Sequence, residues 1–360
     1  MPLPASLVQS LAHVKGFNRK AFEEVHTSGE QVVSVRMNPA KQPMVNGEWA
    51  MDGEVPWCPN AYYLSQRPSF TFDPSFHAGA YYVQEASSMF VWHVMKELIG
   101  SDTEKKVLDL CAAPGGKSTL LASYFTKCMV VANEVIKSRA AVLVENITKW
   151  GADNVIVTNN DPSHFQSLPG YFDVMVIDAP CSGSGLFRKD PDAIDEWSED
   201  NVQLCSQRQQ RILADVLPAL KEDGLLMYST CSYSEAEDEA IADWLVTEMQ
   251  MESKTLQVPV DWGIVETLSP QKHASGYRFY PDKVKGEGFF IAVFQKKAST
   301  DFIRLKEQSL SLPSKAELQQ LTSFINIPES YTFFKQGESI RAIKKHWLTD
   351  LQVLAKCLYI

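Results

Sequence analysis

The chain has 360 residues, 45% hydrophobic and 22% charged, an ordinary globular composition with room for two or three domains. A net charge of −10 counts against a protein held to nucleic acid by bulk charge, and leaves room for a local basic groove. No apolar run approaches the ~20 residues of a membrane helix, and Gln9, His13, Lys15 and Arg19 interrupt what would be a signal-peptide core, so the expectation is a cytoplasmic, soluble monomer.

Pro2–Glu24 reads as one or two short helices, and Gln31–Val35 as a strand running into Arg36-Met37-Asn38-Pro39. From Lys41 to about Ala80 the chain is rich in Gly, Pro and aromatic residues, including Trp49, Trp57, Tyr62, Tyr63, Phe70, Phe72 and Phe76. That suits a small α+β region with irregular loops, assigned to residues 1–80. From Val107 apolar runs alternate with helical ones. Strands are expected at Val107–Leu110, Met129–Ala132, Val155–Thr158, Asp173–Ile177 and Leu225–Ser229, with a further one at Phe289–Gln295. Helices are expected between them at Lys117–Tyr124, Lys137–Lys149, Glu199–Leu220 and Glu235–Met249. Continuous apolar runs mark strands buried on both faces, and their alternation with helices predicts an α/β fold with a parallel, doubly wound, Rossmann-like sheet over residues 81–297. Residues 301–360 carry eight Lys and Arg against six Asp and Glu. Residues 298–360 read as an appendage, a truncated module or a segment packed elsewhere on the protein.

In open α/β sheets ligands bind beyond the carboxyl ends of the strands. The first such end is Cys111-Ala112-Ala113-Pro114-Gly115-Gly116-Lys117, whose small residues let the backbone turn sharply and approach a ligand. Glu134 ends the second strand, placed for ribose hydroxyls, and Asp161 follows the third, placed for an adenine amino group. The loop lacks the G-x-G-x-x-G of a dinucleotide site. Gly116-Lys117-Ser118 matches the end of a P-loop, and Asp178 would stand for its second acid. However, Cys111 occupies the place of the first glycine, and Pro114 removes an N–H from the phosphate cradle. S-adenosylmethionine (SAM) fits the pattern better than a nucleoside triphosphate.

Seven cysteines stand at 58, 111, 128, 181, 205, 231 and 357, with no CxxC pair, so neither a zinc site nor any other metal site is expected. Two of them fall at strand ends on the cofactor rim, in Asp178-Ala179-Pro180-Cys181 and Ser229-Thr230-Cys231-Ser232. One reaction has a use for two thiols. Cytosine C5 is too poor a nucleophile to take a methyl group until a thiolate adds at C6. A second group must later remove the C5 proton so that the first thiolate can leave. Asp178 is the candidate for the pyrimidine N3 edge. Spacing alone allows either cysteine to attack.

These motifs resemble the Nop2/NSUN/Sun family of SAM-dependent RNA cytosine-C5 methyltransferases. The resemblance runs over about 30–297, through Arg36-Met37-Asn38, Gln84-Glu85-Ala86-Ser87-Ser88, the 111–117 loop, both cysteine motifs and Gly286-Glu287-Gly288-Phe289-Phe290. Pro56-Trp57-Cys58 and the 82–89 segment look most like its bacterial F-type branch, which modifies small-subunit ribosomal RNA. The resemblance implies that Cys231 attacks and Cys181 assists elimination. It also implies that Cys111, Ala112, Ala113, Pro114, Gly115, Gly116, Lys117, Glu134, Asp161 and Asp178 hold SAM. The chain departs from the family in having Pro281-Asp282 where Pro-His is usual, which leaves Arg278 as the expected polar contact. Arg188 and Lys189 are candidates to hold a phosphate, with a solvated charged loop an equal reading. Phe187 and the aromatics near 57–82 are candidates to stack bases, although such residues are more often core, and Arg36 lies in the region that would flank the RNA channel. Ribosomal RNA is the expected partner, with transfer RNA possible. The rival functions are a P-loop NTPase and a non-catalytic RNA-binding assembly factor.

Overall fold

The computed structural model describes residues 3–41, 49–100, 104–300, 305–322 and 329–360. Pro2, part of the aromatic-rich stretch and part of the C-terminal segment lie outside the described residues. Helices α1 (Ala5–Ser10) and α2 (Arg19–Thr27) lead into a four-stranded sheet of β1 (Val33–Met37), β2 (Met51–Glu54), β3 (Ala61–Leu64) and β4 (Tyr81–Val83), with α3 (Pro74–His77) before β4. Its order is β2-β3-β1-β4. Asn18 caps α2 by accepting from the Ala21 N–H. Helix α4 (Val91–Leu98) then opens the large domain.

The parallel strands are β5 (Lys106–Asp109), β6 (Met129–Asn133), β7 (Val155–Thr158), β8 (Phe172–Asp178) and β9 (Leu220–Thr230). Between them run α5 (Gly116–Tyr124), α6 (Lys137–Trp150), α7 (Ala193–Glu196) and α8 (Glu199–Val216). After β9 come α9 (Glu239–Thr247), β10 (Met251–Lys254), β11 (Val265–Leu268), β12 (Ser275–Phe279) and β13 (Phe289–Lys296). The sheet order is β11-β12-β13-β9-β8-β5-β6-β7, with β10 on the far part of β13. β13 is antiparallel to β9, while β9, β8, β5, β6 and β7 are mutually parallel. The order reverses between β5 and β8, where such sheets open a ligand crevice.

The alternation of side chains along a strand divides the core in two. Leu108, Val131, Met175, Ile177, Leu226, Tyr228 and Phe294 line one face. Val107, Val130, Val174, Val176, Met227 and Val293 line the other. Each run is buried on both sides, which is why it reads as continuously apolar in the sequence.

Two expected elements end differently. The helix read to Leu220 stops at Val216, because Pro218 cannot continue it, and β9 begins at Leu220. The helix read from Glu235 begins at Glu239, because the preceding turn aims Glu237 and Asp238 inward. In the C-terminal segment, α10 (Lys315–Thr322), the hairpin β14 (Tyr331–Gln336)–β15 (Ser339–Lys344) and α11 (Leu348–Cys357) are described. This segment packs on the domain: Trp347, Leu351 and Leu354 join the same apolar cluster as Leu213 and Leu217. Asp350 meets Lys106 and the Tyr171 hydroxyl, and the Tyr359 main chain exchanges bonds with Asn160.

Candidate active site

The loop between β5 and α5 turns at Gly115, whose φ of +116° is open to glycine; a Cβ there would meet Leu143 Cδ1 at 3.2 Å. Three outside contacts fix its main chain. Ala112 N–H donates to Asn133 O (2.8 Å), Arg139 Nη2 to Ala113 O (2.8 Å) and Asn146 Nδ2 to Pro114 O (2.8 Å). Glu134 is buried beside it, accepting from Ile136 N–H at 3.0 Å and lying 3.5 Å from Arg139. Asp161 caps the next turn by accepting from Ser163 N–H and Oγ–H, and these two bonds hold its carboxyl below the usual carboxylate range. Burial, then the neighbouring carboxylates of Asp109, Asp178 and Glu134, push the Cys111 thiol far up, so Cys111 stays protonated.

Lys117, at the start of α5, crosses to the other half of the rim. Its Nζ lies 2.8 Å from Asp178 Oδ2, and Asp178 Oδ1 accepts from Ser229 Oγ at 2.8 Å. Burial alone would lower the Lys117 ammonium, but Asp178, Asp109 and Cys231 reverse that, and the net shift is upward. Lys117 is thus a cation paired with the Asp178 carboxylate, not a lysine turned to a phosphate. With the acids at the β6 and β7 ends, this donor set suits a nucleoside cofactor and not a triphosphate.

Cys181 and Cys231 meet beside this pair. Asp178 and Ser229 are register partners on the parallel strands β8 and β9. The loops beyond them carry the thiols to an Sγ···Sγ distance of 3.1 Å, and both thiols are free. Gly185 allows the close approach. It donates to Cys231 O at 2.8 Å, and a Cβ there would lie 2.5 Å from Gly288 O and 2.8 Å from Cys231 O. The Cys181 thiol is held well above its ordinary value. Its hydrogen bond to Cys231 contributes most, followed by burial, the charge of Cys231 and that of Glu237. The pair therefore gives up one proton far more readily than two.

Lys117, Asp178, Cys181 and Cys231 are thus brought together, with the 111–116 loop, Glu134 and Asp161 on the adjoining strand ends. Other expected contacts are not at this surface. Arg278 is 1% exposed and is held by Glu239, by Asp238 at 3.2 Å and by Tyr233 O at 2.8 Å. Arg36 is buried over Trp150, donating to Gln84, Gly116 O and Thr119, so it ties the small sheet to α5. The Arg188 guanidinium is turned inward to Glu30 O and Gly286 O, while Lys189 remains exposed. Phe187 is packed against the N-terminal helices, and Trp57, Tyr63 and Tyr81 are core; Phe72 is 86% exposed. A cavity of about 510 Å³ lies between the small sheet and α6, bordered by Arg67, Tyr82, Pro114 and Trp150, and neither Cys181 nor Cys231 lines it.

Comparison with known proteins agrees with this architecture. A methyltransferase homolog from Pyrococcus horikoshii superposes with a TM-score of 0.65 at 27% identity, covering 82% of this chain and all of that one. NSun6 from the same organism, solved with SFG, gives 0.69 at 18% identity over 82% of this chain and 99% of that one, a likeness of fold. Fold and rim together define a protein of the SAM-dependent methyltransferase class. Residues 97–295 match the family described as 16S rRNA methyltransferase RsmB/F, and residues 3–86 the N-terminal domain of 16S rRNA methyltransferase RsmF. The chain belongs to the RsmB/F family. It is 32% identical over 316 residues to the ribosomal RNA small subunit methyltransferase F of Aliivibrio salmonicida, covering 83% of this chain and 65% of that protein. To the Vibrio cholerae protein of the same name it is 34% identical over 279 residues, 74% of this chain and 58% of that one. The chain thus spans about two thirds or less of the length of these curated relatives.

Proposed function

We propose that the protein methylates C5 of a cytosine in RNA, with small-subunit ribosomal RNA as the substrate class, through a covalent bond between Cys231 and cytosine C6. The observation that carries this reading is the 3.1 Å approach of two free thiols at the ends of adjacent parallel strands, on the rim that holds Lys117 and Asp178. SAM, when bound, supplies the methyl group. The residues that would hold it are the 111–117 loop, Glu134 and Asp161, with Asp178 shared between cofactor and base.

Cys231 Sγ adds to C6, and the electron pair of the C5–C6 double bond becomes available at C5, which takes the methyl carbon. Asp178, fixed by Lys117 and Ser229, faces the pyrimidine edge that gains charge. The C5 proton must then leave and the C6–S bond break, restoring the double bond and the thiolate. Cys181 holds its proton chiefly because of Cys231. Once Cys231 is bonded to carbon that contribution is lost; Cys181 passes its proton to solvent water and, as the thiolate, takes the one from C5. Cys231→Ala should therefore lower methyl transfer by about 10⁴-fold or more. Cys181→Ala should accumulate a protein–RNA adduct that survives denaturing electrophoresis. Near wild-type methylation by Cys231→Ala would sink the assignment.

A further inference from the structure

We propose that Glu237 is the positioning residue that sets the two thiols at their working distance, by clamping the residue after each cysteine. This rests on the reading of Cys181 and Cys231 as the reacting pair. Glu237 is fully buried in the turn before α9. Its Oε1 accepts from the Ser182 main-chain N–H at 2.7 Å and from Gln209 Nε2 at 3.4 Å. Its Oε2 accepts from the Ser182 hydroxyl and the Ser232 hydroxyl, each at 2.6 Å. Ser182 directly follows Cys181 and Ser232 directly follows Cys231. One rigid carboxylate thus joins two loops that belong to different strands and lie 50 residues apart in sequence. The Ser232 oxygen also accepts from Ser234 N–H at 3.0 Å, and the Glu237 carbonyl accepts from the Tyr228 hydroxyl at 2.6 Å, so the clamp is itself fixed.

Four donors converge on this side chain, and only an ionised carboxylate accepts from all of them at once. Burial raises the proton affinity of Glu237, while the Ser182, Ser232 and Gln209 donors oppose that rise. The anion adds a second effect, because it helps Cys181 keep its proton. Glu237 therefore has a register role and a charge role, and substitution can separate them. Alanine removes both. Glutamine keeps the shape and one acceptor oxygen and removes the charge.

The closure and labelling measurements use the full chain without RNA or SAM, and the methylation measurement uses it with both. Diamide takes up two electrons and two protons as Cys181 and Cys231 lose them, and peptide mapping without reductant reads the resulting disulfide. Wild type should close the bond readily, since the sulfurs need approach by only about 1 Å to reach bonding distance. Glu237→Ala should close it about tenfold more slowly and, in single-turnover methylation of RNA, lose about 10²-fold in rate with RNA KM little changed. Glu237→Gln should close it near the wild-type rate, while the pH at which iodoacetamide labels Cys181 moves down. If Glu237→Ala does not fold, the Ser182→Ala/Ser232→Ala double variant keeps the carboxylate and removes both hydroxyl donors, and it should slow closure several-fold. Wild-type closure rates in Glu237→Ala or in the serine pair, or an unmoved labelling profile in Glu237→Gln, would overturn the proposal. So would failure of the wild type to close. Expected closure and labelling results with no RNA methylation by wild type would leave Glu237 standing and strike the proposed function instead.

Discussion

At the end of β5 the rim loop is gripped by its own main-chain groups, and at the ends of β8 and β9 the rim is held by buried side-chain charge. On the first side, Ala112, Ala113 and Pro114 are fixed through backbone N–H and carbonyl groups. On the second, Glu237 joins the thiol loops, while Asp238, Glu239 and Arg278 form an ionic cluster beneath them. The Thr230 hydroxyl, one residue before Cys231, donates to Asp238 at 2.6 Å. A cofactor loop needs an exposed backbone surface of fixed shape, which small residues and a few carbonyl contacts provide. A thiol pair needs two sulfurs held at one distance, which requires links between loops that do not touch in sequence.

If charge holds the thiol side, breaking its ion cluster should have the largest effect. Arg278→Ala strands Glu239 and Asp238 in the interior and should cost about 3–5 kcal/mol of stability. Urea unfolding would measure it. Arg278→Met combined with Asp238→Asn and Glu239→Gln should recover much of that loss, because no unpaired charge is then buried. A cost under about 1 kcal/mol for Arg278→Ala, the range of exposed pairs, would break the contrast.

The cofactor side has a fully buried carboxyl at Asp109, and it behaves in the opposite way. Asp109 is fully buried; Oδ2 accepts from Ser118 Oγ at 2.6 Å, while Oδ1 has no partner among the described residues. Burial pushes its carboxyl up to about 7, against the Ser118 bond and the Lys117 charge. Below pH ~4 the group is protonated in both the folded and the unfolded chain, so it has no effect on stability. Between pH ~4 and ~7 the unfolded chain loses the proton first, and stability falls as pH rises, by at most about 1.4 kcal/mol per unit. Above ~7 the loss is complete. Asp109→Asn should remove this decline, so its stability advantage over wild type should grow from pH 4 to pH 7 and then level off. Parallel stability–pH curves for the two proteins would show that Asp109 is ionised in the fold throughout.

The same contrast explains what the sequence disclosed. The parallel sheet, the 111–117 loop and both cysteine motifs were legible, because apolar runs mark buried strands and their ends mark the rim. Lys117 was read among the cofactor residues, but its bond to Asp178 was not foreseen, since it joins two strand ends. Glu237 was missed altogether. Glu237-Asp238-Glu239 looks like the acidic first turn of an exposed helix, where such residues favour the dipole. Nothing local shows that three acids turn inward. The available signal was the number of hydroxyl donors around the two cysteines: Ser182, Ser184, Ser229, Thr230 and Ser232, which would need a buried acceptor. Arg278 was read as a site contact for a related reason. Its partners Asp238 and Glu239 lie some forty residues upstream, and only β12, packed beside β13, brings them together.

The smallest expected effect tests whether the two sides act independently. Asn146→Ala removes one hydrogen bond to Pro114 O at a solvent-facing position and should cost about 0.5–1.5 kcal/mol. The loop keeps its bonds from Arg139 and to Asn133 O, so it should loosen without unfolding. SAM affinity, by isothermal titration, should fall by less than about tenfold, in line with that energy. Diamide closure of Cys181 and Cys231 should be unchanged, because no carbonyl bonded by Asn146 belongs to the thiol loops. Lys117 is the one described residue of the cofactor loop that reaches Asp178, at 2.8 Å. A changed closure rate in Asn146→Ala would therefore mean that strain in the cofactor loop passes through Lys117 to the thiols, and that the rim works as one unit.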